Sequence, residues 1–139
     1  MADGYAGDLT PKQAWEKLQN EDKAVLVDVR TQAEWNFVGV PELGPGREPL
    51  FVQWQKFPSG LVNTEFVDQV REKVPAPDTP ILFLCRSGGR SAAAATALTE
   101  AGYGSCYNVL SGFEGDKDGD GHRGTTGGWK VEGLPWKQG

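Results

Sequence analysis

The chain has little of what usually staples, anchors or deprotonates a protein. Its 139 residues hold two cysteines, Cys85 and Cys106, too few for a disulfide framework and in keeping with a reducing compartment. The single histidine, His122, lies in a glycine-rich stretch far along the chain from Cys85. No apolar run approaches the roughly 20 residues that span a bilayer. The opening Met1-Ala2-Asp3-Gly4-Tyr5-Ala6-Gly7-Asp8 lacks the basic and apolar regions of a signal peptide, so a cytoplasmic location is expected. Basic residues are outnumbered 14 to 19, giving a formal charge of −5 that argues against nucleic acid and anionic membrane as partners.

Against that acidic background one stretch concentrates positive charge around a thiol: Ile81-Leu82-Phe83-Leu84-Cys85-Arg86-Ser87-Gly88-Gly89-Arg90-Ser91. Four apolar residues predict a buried strand, and Ala92-Ala93-Ala94-Ala95 predicts a helix immediately after the glycines. Cys85 then stands at the mouth of a tight turn, facing the unpaired N–H groups and positive dipole end of that helix. Helix N-termini and neighbouring cations favour the thiolate over the thiol. Glycines also let successive amides turn inward to bind an anion. A cysteine ending an apolar strand is ordinarily an inert hydrophobe; two arginines beside it have no such structural purpose. The pattern suits a sulfur nucleophile acting on an anionic substrate.

The rest of the chain alternates strands with helices. Residues 1–8 are expected as a loose N-terminal arm, and residues 9–139 as one domain. Thr10 and Pro11 start a helix whose Ala14, Trp15 and Leu18 share a face. Ala24-Val25-Leu26-Val27 predicts a strand ending at Asp28-Val29-Arg30, and Thr31-Gln32-Ala33-Glu34 has the form of a capping box. Asp28, Arg30 and Glu34 thus fall at the strand ends where α/β proteins bind ligands, although a structural ion pair or loop staple accounts for them slightly better than direct catalysis. Residues 39–60, with four prolines and four glycines, predict a loop holding a short strand over 49–54. Asn63 is expected to cap a helix stopped by Pro75-Ala76-Pro77, and the helix over 90–101 to end at Gly102. Cys106-Tyr107-Asn108-Val109-Leu110 predicts the last strand, its cysteine buried and passive. The sum is an α/β sandwich with a mostly parallel sheet.

Leu26-Val27-Asp28-Val29-Arg30 with Glu34-Trp35, the Cys85–Ser91 stretch, and Gly127-Gly128-Trp129 with Gly133-Leu134-Pro135 together resemble the single-domain rhodanese family. The resemblance runs from about residue 9 to 136. It implies a three-layer fold with a five-stranded sheet between helices, and Cys85 as the nucleophile that carries sulfane sulfur as a persulfide. It implies a small anionic donor such as thiosulfate, and an acceptor such as cyanide or a thiol, a protein thiol included. Residues 86–91 would cradle the sulfur, and Asp28 and Arg30 would form a structural pair nearby. Neither a cofactor nor a metal is called for. Two departures bear on acceptor choice: Val40-Pro41-Glu42-Leu43-Gly44-Pro45-Gly46 replaces the family's usual turn, and residues 114–125 have the look of an insertion.

That insertion places Asp116, Asp118, Asp120 and Gly121 at the spacing of half a calcium loop. The twelfth position is Gly127 where a bidentate glutamate is needed, which favours a solvated acidic loop. A cysteine phosphatase or arsenate reductase is a second enzymatic reading. Such enzymes resemble Cys followed by five residues and Arg, whereas here Arg90 comes one place early. A non-catalytic binding or regulatory module is the third, set back by the presence of Cys85.

Overall fold

The computed structural model describes residues 5–21, 23–43, 48–55, 62–86, 89–110, 112–115, 119–120 and 127–137. Along the chain run β1 (Gly7–Leu9), α1 (Pro11–Asn20), β2 (Val25–Asp28), α2 (Gln32–Phe37), β3 (Val40–Pro41), β4 (Leu50–Phe51), α3 (Phe66–Lys73), β5 (Ile81–Leu84), α4 (Gly89–Glu100), β6 (Cys106–Val109) and β7 (Trp136–Lys137). The main sheet has five strands in the order β1-β6-β5-β2-β4, every pair parallel. β3 and β7 pair antiparallel in a separate ribbon. Strand β5 is the centre, and all four of its side chains are buried, as a strand covered on both faces requires.

Strand alternation splits the core in two. Ile81, Phe83 and Cys85 face Phe66 and Val70 of α3 and Ala94, Ala95 and Leu98 of α4. Leu82 and Leu84 face Ala14 and Leu18 of α1, with Phe113 and Trp129 from the C-terminal region. The helices therefore lie on both faces, as the resemblance implied. The small alanines of α4 let it approach the sheet closely.

Local signals explain the helix starts. Thr10 and Thr31 both accept from the N3 amide while Gln13 and Glu34 reach back to the cap, so each helix opens with a complete capping box. Gly102 follows α4 at φ +106°, a conformation glycine alone adopts cheaply.

Three expectations need correction. Gly7 and Asp8 belong to no loose arm: they form edge strand β1 with Leu9, held by backbone pairing to β6. The strand expected over 49–54 is only Leu50–Phe51. Asn63 does not cap α3. It accepts from Glu65 N at 3.1 Å in the turn before the helix, and α3 begins at Phe66 without a side-chain cap. Trp54 is half-buried and packs edge-on against Phe66 at 5.1 Å, so it belongs to the core. Most of residues 114–125, His122 included, lies outside the described residues, and so does the calcium-loop spacing.

Candidate active site

Cys85 directly follows β5, and α4 opens four residues later, so the thiol stands at the junction of central strand and helix as the sequence predicts. It is not at an open mouth: Cys85 is 1% exposed and packs with the α3–α4 side of the core. Strand alternation continues Ile81 and Phe83 into Cys85 and aims its side chain toward α4, whose packing covers it. Ser87 and Gly88, expected in the anion cradle, lie outside the described residues; Gly89 opens α4, with nothing near the place a side chain would occupy.

From α4, the Ser91 hydroxyl oxygen lies 3.2 Å from Cys85 Sγ. The same oxygen is 2.5 Å from Asn108 Oδ1 on β6. Asn108 in turn donates through Nδ2 to Asp8 Oδ1 on β1 at 3.2 Å. The register explains this line-up: Phe83 pairs with Asn108 and Asn108 with Asp8, so the three side chains form one row across parallel strands. Asn108 and Asp8 had no signal in the sequence, because their meeting depends on which strands become neighbours.

Arg90, expected in the sulfur cradle, is held by a carboxylate. It does not face solvent: its guanidinium grips Glu34 in a two-pronged ion pair, Nη1–Oε1 at 2.8 Å and Nη2–Oε2 at 2.9 Å. Burial alone raises the Glu34 carboxyl, but the Arg90 hydrogen bond, the Thr31 backbone bond and the charges of Arg90 and Arg30 outweigh it and hold it below its ordinary value. For Arg90, burial works against the charge, while Glu34, and beyond it Cys85 and Asp28, outweigh that and raise it. Arg86 is exposed.

Asp28 and Arg30 are fully buried and paired, Nη2–Oδ2 at 2.7 Å with Nε to Oδ1 at 2.9 Å. Arg30 Nη2 also donates to Gly39 O at 2.7 Å, and its guanidinium stacks 4.3 Å from the centre of Phe113. The backbone of Phe113 supports the site directly. Phe113 N donates to Cys85 O at 2.8 Å, and Glu114 N to Arg86 O at 3.0 Å. Gly112 permits that contact, for it sits at φ +57° and a Cβ there would come within 2.3 Å of Cys85 O. Its role is invisible in a sequence that contains 19 glycines.

Cys106 is fully buried with no disulfide to Cys85, and burial pushes its thiol up to about 11, only partly offset by Thr99. It has the character of a passive core residue.

A parallel α/β sheet with a cysteine between central strand and helix, backed by a buried carboxylate–guanidinium pair, defines a class of thiol-bearing α/β domains. A model of the family described as the STR4 middle domain matches residues 6–139. The thiosulfate sulfurtransferase GlpE of Glaesserella parasuis serovar 5 is 31% identical over 114 residues, 78% of this chain and 83% of that protein. An uncharacterised protein of Rickettsia rickettsii is 40% identical over 129 residues, 90% of this chain and 92% of its own. The crystal structure of Rv0390 from M. tuberculosis superposes with a TM-score of 0.90 at 54% identity, covering 97% of this chain and 99% of that one. The chain belongs to the rhodanese-like sulfurtransferase family.

Proposed function

We propose that this protein is a sulfurtransferase working through a persulfide on Cys85. The Cys85 thiolate attacks the outer sulfur of thiosulfate, a Cys85 S–S bond forms, and the donor's S–S bond breaks with its electron pair leaving on sulfite. Cyanide or a thiolate, a protein thiol included, then takes that outer sulfur and returns the thiolate. Both steps are two-electron displacements at sulfur, so they balance without a redox cofactor. What carries the reading is the position of Cys85 between β5 and the N-terminal end of α4. Arg86 supplies exposed positive charge beside it to attract an anionic donor. The two cysteines, neither of them in a disulfide, fit a cytoplasmic setting, and no helix among the described residues is long and apolar enough to cross a membrane.

The phosphatase reading loses ground at Arg90. A phosphate clamp needs a guanidinium open to the ligand, and Glu34 already occupies both terminal nitrogens. The test is direct. With thiosulfate and cyanide the protein should form thiocyanate, and Cys85→Ser should abolish this with the fold intact. Mass spectrometry after thiosulfate treatment should find one added sulfur on the Cys85 peptide. Turnover in Cys85→Ser, or a preference for a phosphate ester over thiosulfate, overturns the proposal.

A further inference from the structure

The row Asp8–Asn108–Ser91–Cys85 has a direction, and its outer end sets it. A hydroxyl has one proton, so Ser91 can donate to Asn108 Oδ1 or to Cys85 Sγ, but not to both. A carboxylate at neutral pH has no proton to give. Asp8 therefore requires the NH2 of Asn108 on its own side, where Nδ2 lies 3.2 Å from Oδ1. That turns the Asn108 oxygen toward Ser91. Two oxygens 2.5 Å apart need a proton between them, and Ser91 holds the only one available to that contact. Committed to Asn108, the Ser91 oxygen presents lone pairs to a sulfur 3.2 Å away. That arrangement receives a thiol proton and offers nothing to a sulfur anion.

We propose that Asp8 and Asn108 are positioning residues for Cys85: Asp8 fixes the orientation of the Asn108 amide, and through it turns the Ser91 hydroxyl into an acceptor toward the resting thiol. The inference rests on Cys85 being the working nucleophile. Asp8 touches no reacting atom and sits on an edge strand, exposed, with Tyr5 Oη donating to the same carboxylate oxygen at 2.7 Å. Reversing the row requires Asn108 to flip so that Nδ2 faces Ser91 and the Ser91 proton faces sulfur. Asp8 opposes that flip because it would face the Asn108 oxygen with its own.

The test replaces Asp8 with a residue that can face the Asn108 amide either way round. In Asp8→Asn the new amide can donate to Asn108 Oδ1, both directions become available, and Ser91 is released to donate to the thiolate. Iodoacetamide alkylation at pH 7, followed peptide by peptide, should then modify Cys85 roughly two- to tenfold faster, the span of one net hydrogen bond. Asp8→Ala, which imposes no direction, should move it the same way. Cys106, fully buried, is the internal control and should keep its rate. In a Ser91→Ala background, Asp8→Asn should have no effect on Cys85. An unchanged Cys85 rate in both Asp8 variants overturns the proposal. So does acceleration of both cysteines together, which reports general loosening, or acceleration that survives Ser91→Ala, which reports the lost charge of Asp8. Alkylation needs no sulfur donor, so failure of the sulfurtransferase reading would show in the thiosulfate assay and not here.

Discussion

Glu34 joins two helices, and its removal gives the sharpest stability test. Its carboxylate accepts two charge-assisted bonds from Arg90, at 2.8 and 2.9 Å, and the Thr31 backbone amide at 3.1 Å. The two side chains retain 21% and 19% exposure, so solvent screens the pair in part and the low end of the charged-bond range applies. A charged hydrogen bond is worth about 1.5–3 kcal/mol and a cap about 1, so Glu34→Ala should cost about 2–3 kcal/mol. For a domain of this size that lowers Tm by roughly 8–12 °C. Glu34→Gln keeps the amide acceptor and loses the charge, at about 1 kcal/mol. A thermal-melt cycle of Glu34→Gln, Arg90→Met and the double variant should show coupling of about 1–2 kcal/mol. Acid should dissect the same pair. Because the folded carboxyl lies below its ordinary value of 4.5, its contribution is complete at neutral pH and falls away as pH drops below that value. Additivity within about 0.5 kcal/mol in the cycle would refute the claim that the pair holds α2 to α4.

Gly112→Ala should cost about 2–5 kcal/mol in urea unfolding, from the left-handed backbone and the collision with Cys85 O, and should end sulfur transfer. Arg86→Ala should leave stability within about 0.5 kcal/mol while raising KM for thiosulfate, and added salt should shrink the difference. Asp28→Asn leaves Arg30 buried without its counter-charge and should cost about 3–5 kcal/mol, read by chemical denaturation.

Legibility followed sequence separation. The cap at Thr10, the capping box at Thr31 and the strand–turn–helix at Cys85 were readable, because each is written within a few residues. The Asp28–Arg30 pair was readable too, two positions apart on one strand end. β1 was not, since Gly-Asp-Leu carries no periodic apolar signal and pairs through its backbone. Nor was the Glu34–Arg90 grip, which spans 56 positions, and two arginines in a loop read most simply as open charge. The burial of Cys85 was missed for a related reason. Alternation fixes which side a residue faces, but only the packing of α4 decides how deep that side lies.

Buried polar groups cost free energy unless partnered, so where a fold places them is informative. Among the described residues they are Asp28, Arg30, Thr31, Asn63, Ser91 and Asn108. All but Asn63 gather where β2, β5 and β6 end and α2 and α4 begin, on both faces of the sheet. The charges there are arranged in opposed pairs: Asp28 answers Arg30, and Glu34 answers Arg90. Of the described arginines at this edge, only Arg86 is tied to no carboxylate, so in the proposed reaction it and the α4 dipole would carry the attraction for the donor anion. Releasing Arg90 from Glu34 would add a cation beside Cys85 while loosening the fold. Glu34→Gln should therefore lower KM for doubly charged thiosulfate as it lowers Tm. A fall in both quantities marks an electrostatic role for Arg90, whereas a KM that rises as Tm falls marks a merely structural one.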